Sequence, residues 1–130
     1  MNKTILITGT ILGLTGVLLG AFGTHGLKTM LAPDALQSFE TGVRYQIYHA
    51  LLLLFVGNTS FPGTGRKKVI YFLILAGVIL FSGSVYGLST NDLSAFNFKK
   101  TGFITPIGGT LLIAAWGLLC WSMIRSKIKT

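Results

Sequence analysis

The sequence predicts an all-α integral membrane protein with four transmembrane helices and both termini cytoplasmic. Three observations carry this expectation. Apolar residues come in runs long enough to cross a bilayer. Charged residues make up 11% of the 130-residue chain, under half of the roughly 25% usual in a soluble domain. The cations sit in short clusters between the apolar runs, and mean hydropathy is +0.69. A soluble bundle would need a polar face on each helix, and residues 5–22 and 69–88 have none. The net charge of +8 does not indicate nucleic acid, because the basic residues form no stripe and follow the membrane-topology pattern instead. Cys120, the single cysteine, lies in an apolar run. It excludes an intrachain disulfide and reads as a small hydrophobe.

We expect one transmembrane domain, residues 1–130, with helices at about 4–26, 34–57, 69–88 and 105–124. The first follows Lys3 and covers roughly 30 Å of hydrocarbon at 1.5 Å per residue. A signal peptide starts the same way, but no small-x-small site follows and the run is long, so the span is expected to be retained. Gly9, Gly13, Gly16, Gly20 and Gly23 fall on one stripe of this helix, about 80° wide at 100° per residue. A stripe without side chains lets another backbone come close, and van der Waals packing then replaces the missing hydrophobic drive. Such a seam serves a dimer or a second helix of the same subunit, and we favour the latter.

Gly23 and Gly26 flank Thr24 and His25 and mark a helix end or turn. Pro33 and Asp34 open the second helix, since proline suits the first position and an acid suits the dipole; Ala32 is a poor cap before them. The strictly apolar part of this helix, residues 50–56, is too short to span alone, so its polar end must enter the membrane. Residues 58–68 read as a loop: Pro62, Gly63 and Gly65 break structure, and Arg66, Lys67 and Lys68 form a basic block. The third helix carries Ala76, Gly83 and Gly87 on one face, a second small-residue seam, and Ser82, Ser84 and Tyr86 near its far end. Residues 89–102 read as a polar loop. Thr105 is expected to cap the fourth helix with Pro106 at its first position, and Trp121 suits the interfacial belt near its end.

Loop charge sets the orientation. One side holds Lys3, Arg66, Lys67, Lys68, Arg125, Lys127 and Lys129; the other holds Lys28, Arg44, Lys99 and Lys100 with the acids Asp34, Glu40 and Asp92. Counting cations alone places the first side in the cytoplasm and turns the polar end of the second helix outward.

That end, FETGVRYQIYHAL at 39–51, carries the candidate site: Glu40, Arg44, Tyr45, Tyr48 and His49, with His25 nearby. Glu40 and Arg44 are four apart, the favoured order for a helical ion pair. Near hydrocarbon the pair would make Arg44 tolerable; alternatively Arg44 holds an anion such as a lipid phosphate, with Tyr48 as a donor. His49 lies about 180° around the helix from Glu40, so this level is polar on both sides and is expected to be enclosed by other helices or subunits. His49 either titrates and passes a proton or is a neutral side chain bonded to a carbonyl, a Tyr or a Ser. His25, His49 and Glu40 match no recognised ligand spacing, and no metal or cofactor is assigned. Phosphate-loop, nucleophile-elbow, HExxH and CxxC patterns are absent from the sequence.

These segments resemble a known family. GAFGTHGL at 20–27, PDAL at 33–36, FETGVRYQIYHAL at 39–51, FSGSVYGL at 81–88 and ITPIGG at 104–109 are similar, in order, to domain-of-unknown-function family 423. These are small four-span bacterial membrane proteins, and vertebrate transmembrane protein 256 is a relative. Thr24 stands where alanine is common in the family, and Ala32 where a capping Ser or Thr is common. The resemblance implies four helices and an uncleaved first span, and supplies no activity.

The residues therefore lead to a non-enzymatic protein of the bacterial cytoplasmic membrane. It packs as a homo-oligomer or beside a partner membrane protein, with an outward polar pocket for a lipid headgroup, such as that of an anionic lipid, or for a partner segment. The alternatives are a proton-coupled carrier or channel, and a membrane enzyme acting on lipid or quinone.

Overall fold

The computed structural model describes residues 2–93, 97, 100 and 102–127. Lys99 and Lys129, which enter the charge balance, and residues 94–96, 98 and 101 of the loop before the fourth helix lie outside the described residues. The described chain is all helix and turn: α1 (Asn2–Phe22), α2 (Pro33–Asn58), α3 (Thr64–Ser89) and α4 (Ile104–Ile124).

α1 does not stop at Gly23. Helical bonding continues through a π-helical turn, Gly23–Leu27, and the Leu27 carbonyl then accepts the N–H groups of Met30 and Leu31. Pro33 opens α2 from an extended Ala32 that gives no side-chain cap, and Asp34 lies in the first turn.

The start of α3 corrects the sequence reading. The helix begins at Thr64, so Arg66, Lys67 and Lys68 belong to its first turns and not to a loop. Lys67 is only 4% exposed, and its ammonium donates to the Thr59 carbonyl. The N–H of Thr59 in turn bonds the Phe55 carbonyl at the end of α2. Lys67 is thus folded back onto the α2 terminus, which holds the turn short, while Arg66 and Lys68 are exposed. A second correction concerns α4. Phe103 precedes its first turn without a side-chain cap bond, and Thr105 lies inside the helix, where its hydroxyl pairs with that of Ser84 on α3.

The four helices form an antiparallel meander in which α1 lies along α2, α2 along α3, and α3 along α4. The glycine stripe of α1 faces α2 of the same chain. A Cβ added at Gly9 would lie 3.0 Å from the Ala50 carbonyl oxygen, at Gly16 2.8 Å from Ile47, and at Gly23 3.1 Å from the Phe39 ring. Gly13 and Gly20 meet Ala50 and Val43 in the same row. Between α3 and α4 the close approach is made by other glycines than those the sequence suggested. A Cβ at Gly108 would lie 2.3 Å from the backbone nitrogen of Phe81, and one at Gly77 2.6 Å from Leu112. Gly83, expected in this seam, has nothing within 4 Å of such a Cβ and is exposed; Ala76 is exposed too. The register explains this: the face toward α4 is the one holding Gly77, and Gly83, six residues on, is turned about 120° away from it, while Ala76 is turned about 100° away.

The main core, with Ile5, Leu53, Val56, Ile70, Ile74 and Ala115 fully buried, lies toward the cation-rich end. A smaller cluster of Leu27, Phe39 and Val43 closes the opposite end. Between them lies the polar level of α2. Among the described residues, three helices are long and apolar enough to cross a membrane: Lys3–Leu27, Thr64–Ser89 and Ile104–Ile124. α2 has 26 residues, about 39 Å of helix, but its polar first half keeps it outside that group.

Candidate functional site

α2 presents two polar faces of different character. The buried face holds Gly42, Gln46 and His49. Gln46 is 5% exposed and makes three hydrogen bonds, with both amide donors and its oxygen engaged. Its amide donates to the Leu12 carbonyl at 2.9 Å and to the Thr15 hydroxyl at 2.8 Å. Its oxygen accepts the Tyr86 hydroxyl at 2.7 Å. One side chain therefore ties α1, α2 and α3 together. Gly42 makes the Tyr86 bond possible, because a Cβ there would lie 2.7 Å from the Tyr86 ring. The Gly42 carbonyl also accepts the buried Ser82 hydroxyl at 2.8 Å.

His49, 4% exposed, is equally satisfied. The indole N–H of Trp116 donates to Nε2 at 3.0 Å, and indole can only donate, so Nε2 is the acceptor. The proton therefore sits on Nδ1, which lies 2.7 Å from the Tyr45 carbonyl oxygen and donates to it. This is the neutral tautomer with both nitrogens used, and it joins α2 to α4. Tyr45, Phe81 and Trp116 gather around it, with Tyr45 and Phe81 ring centroids 4.9 Å apart and His49 and Trp116 6.1 Å apart. Together with Gly109, Leu112 and Ile113 they line a lateral groove of about 310 Å³.

The open face is unlike this. Glu40, Arg44, Tyr48, Leu51 and Phe55 are all exposed, and their spacing puts them on one stripe of the helix. Glu40 and Arg44 form no ion pair with each other or with any described residue. Arg44 donates once, from Nη2 to the Thr41 hydroxyl at 3.0 Å, which directs the guanidinium toward the start of α2. Tyr48 is 53% exposed, and its ring lies 5.9 Å from that of Tyr45. Of the enclosure that the sequence suggested, by other helices or by subunits, the helices of this chain supply one side and leave the other open.

The predicted site residues consequently divide. Glu40, Arg44 and Tyr48 share the open face, Tyr45 stands at its border with the groove, and His49 is buried behind it. His25 joins none of them: it is exposed in the π-helical turn, level with Phe39, which packs on Gly23. His49 lies ten residues further along α2, about 15 Å. The sequence reading passed over Gln46 as an anchor and over Trp116 and Phe81 as partners of His49. An amide inside an apolar helix was a usable signal for the first. The Trp116 contact spans 67 positions and has no local signal.

A small helical protein, with three apolar helices of spanning length and a polar level on the fourth, has the build of a membrane protein. The family model "Protein of unknown function (DUF423)" matches residues 19–109, and the chain belongs to this family. It is 38% identical over 125 residues to the UPF0382 membrane protein YwdK of Bacillus subtilis, covering 95% of this chain and 98% of that one. It is 40% identical over 119 residues to the UPF0382 membrane protein SAB0533 of Staphylococcus aureus, covering 90% and 92%. With the UPF0382 inner membrane protein YgdD of Escherichia coli the identity is 32% over 133 residues, covering 98% and 95%. No solved structure matches the chain. The protein is therefore a small membrane protein of a family whose function is not established.

Proposed function

We propose that this chain is a non-enzymatic, four-span protein of the bacterial cytoplasmic membrane, with both termini inside, whose open face on α2 takes a phospholipid headgroup in the outer leaflet. The observation that carries this is the exposed Glu40, Arg44 and Tyr48 stripe, in which Arg44 uses a single donor within the chain.

Several features support the spanning arrangement. α2 runs antiparallel between helices that are long and apolar enough to cross, so it traverses the same layer. The stretch from Phe39 through the polar level and the apolar part, residues 39–58, covers about 29 Å. On that placement Arg44 sits about 7 Å below the outer boundary of the hydrocarbon, within reach of a snorkelling arginine. Side chains on a helix tilt toward its N-terminus, which for α2 is the outer end, and the bond to Thr41 points the same way. The seven-to-four cation balance and the name of the Escherichia coli relative, an inner membrane protein, support the orientation and location.

The other readings find less support. A proton path through His49 would have to break the Trp116 bond and continue past Leu53 and Val56, which are fully buried in the apolar core. None of the chain's three acids lines the His49 groove, and the base that does, His49, has its Nε2 engaged by the Trp116 indole.

The test is lipid retention. Wild-type protein released from its membrane in mild detergent should carry phospholipid in native mass spectrometry, and Arg44→Gln should lose it while remaining folded. Equal retention by both would remove the headgroup reading. The orientation has its own check: Ser60→Cys in a Cys120→Ser background should resist a membrane-impermeant thiol reagent applied to intact cells, and labelling would reverse the topology.

A further inference from the structure

Any phospholipid has a phosphate for Arg44, so Arg44 alone does not choose among lipids. Glu40 does. It is exposed one turn nearer the outer end of α2, and no described residue neutralises it. Beside an anionic headgroup its carboxylate repels. Beside a headgroup that ends in an amine it attracts.

The order along the membrane normal matches. Arg44 is the deeper residue and Glu40 lies about 6 Å further out. In an amine-bearing phospholipid the phosphate adjoins the glycerol and the ammonium lies two carbons beyond it. Phosphate can therefore meet guanidinium while ammonium meets carboxylate in one extended headgroup. The reverse order of the two residues would not allow this. A primary ammonium offers three N–H donors to a carboxylate, whereas a quaternary choline offers none and is recognised by an aromatic cage. Tyr48 and Tyr45 do not form such a cage around Glu40, because both lie on the inner side of Arg44 along the helix. The planar guanidinium retains four N–H donors after the bond to Thr41, enough for bidentate phosphate recognition. The Tyr48 hydroxyl, one turn deeper and with no partner among the described residues, suits an ester carbonyl.

We infer that the Glu40, Arg44 and Tyr48 stripe is a binding site for a zwitterionic, primary-amine phospholipid of the ethanolamine type. This rests on the headgroup reading above and narrows it, replacing the anionic lipid that the sequence suggested.

The experiment uses the full chain in nanodiscs of equal phosphatidylethanolamine and phosphatidylglycerol, released into native mass spectrometry. Wild type should retain the ethanolamine lipid roughly three- to tenfold over the glycerol lipid. Glu40→Gln should keep its total bound lipid and lose that preference. Arg44→Gln should lose both lipids. Replacing phosphatidylethanolamine by phosphatidylcholine should reduce retention by wild type but not by Glu40→Gln. A wild type that favours phosphatidylglycerol, or a preference unchanged in Glu40→Gln, overturns the ethanolamine assignment and leaves the headgroup face standing. Retention unchanged in Arg44→Gln, or a lipid-free dimer joined through this face, overturns both. Both side chains are exposed and make no contact that holds the helices, so thermal melting should match wild type and separate loss of lipid from loss of fold.

Discussion

The buried and open faces of α2 lie at the same depth of one helix and follow opposite rules. On the buried face each polar group meets a partner: Gln46 makes three hydrogen bonds and His49 two. On the open face an acid and a base one turn apart leave each other alone, and Arg44 makes one bond, to its own helix. Burial in a low-dielectric layer makes an unsatisfied group costly, so satisfaction on one side identifies those residues as structural. Residual bonding capacity on the other side is the property from which we propose a partner outside the chain. In a membrane span histidine and arginine would both be functional candidates by default, and here the neighbours separate them.

Substitutions that break the enclosed side should have the largest effects on stability. Gly108→Ala places a Cβ against the backbone of Phe81, which no side-chain movement relieves. It should cost about 3 kcal/mol or more, seen as loss of folded protein in size-exclusion chromatography after extraction. Gln46→Leu removes the hydrogen bonds to the Tyr86 hydroxyl, the Thr15 hydroxyl and the Leu12 carbonyl. Intramembrane bonds average about 0.6 kcal/mol each and unsatisfied groups add to this, so roughly 2 kcal/mol should be lost, measured by thermal unfolding in detergent. Trp116→Phe keeps the ring in the groove but frees His49 Nε2, and should cost about 1 kcal/mol in the same assay. Gly83→Ala sharpens the contrast between expected and observed seams. With open space around it and a better helix former in place, it should be neutral or stabilising by up to about 1 kcal/mol. Arg44→Gln should move stability least, by less than about 0.5 kcal/mol, while removing the bound lipid.

Much of the fold was legible because its signals are local and periodic. The glycine stripe of α1 could be read directly, since five positions at helical spacing leave one face without side chains, and that face meets Phe39, Val43, Ile47 and Ala50. The start of α3 was not legible. Pro62, Gly63 and Gly65 are loop residues by propensity, and cations disfavour a helix N-terminus. What overrides them is Lys67 reaching the Thr59 carbonyl, a tertiary contact. The same limit applied at the site. The sequence placed Glu40 and His49 on opposite faces of one helix, as they are. Which face would be covered depended on Tyr86 and Trp116 arriving from α3 and α4. Gly77 and Gly108 escaped notice because each is a lone glycine on its contact face, and two helices had to be set in register before they met.

On the proposed reading the open face of α2 binds lipid while the buried face only holds the fold. The most direct test is to compare Arg44→Gln with Gln46→Leu, measuring retained phospholipid by native mass spectrometry and melting temperature on the same preparations. The account predicts that Arg44→Gln melts like wild type and carries no lipid, and that the fraction of Gln46→Leu remaining folded carries lipid normally but melts earlier. An Arg44→Gln variant that keeps its lipid and melts as early as Gln46→Leu would contradict it, and would make Arg44 one more structural tie.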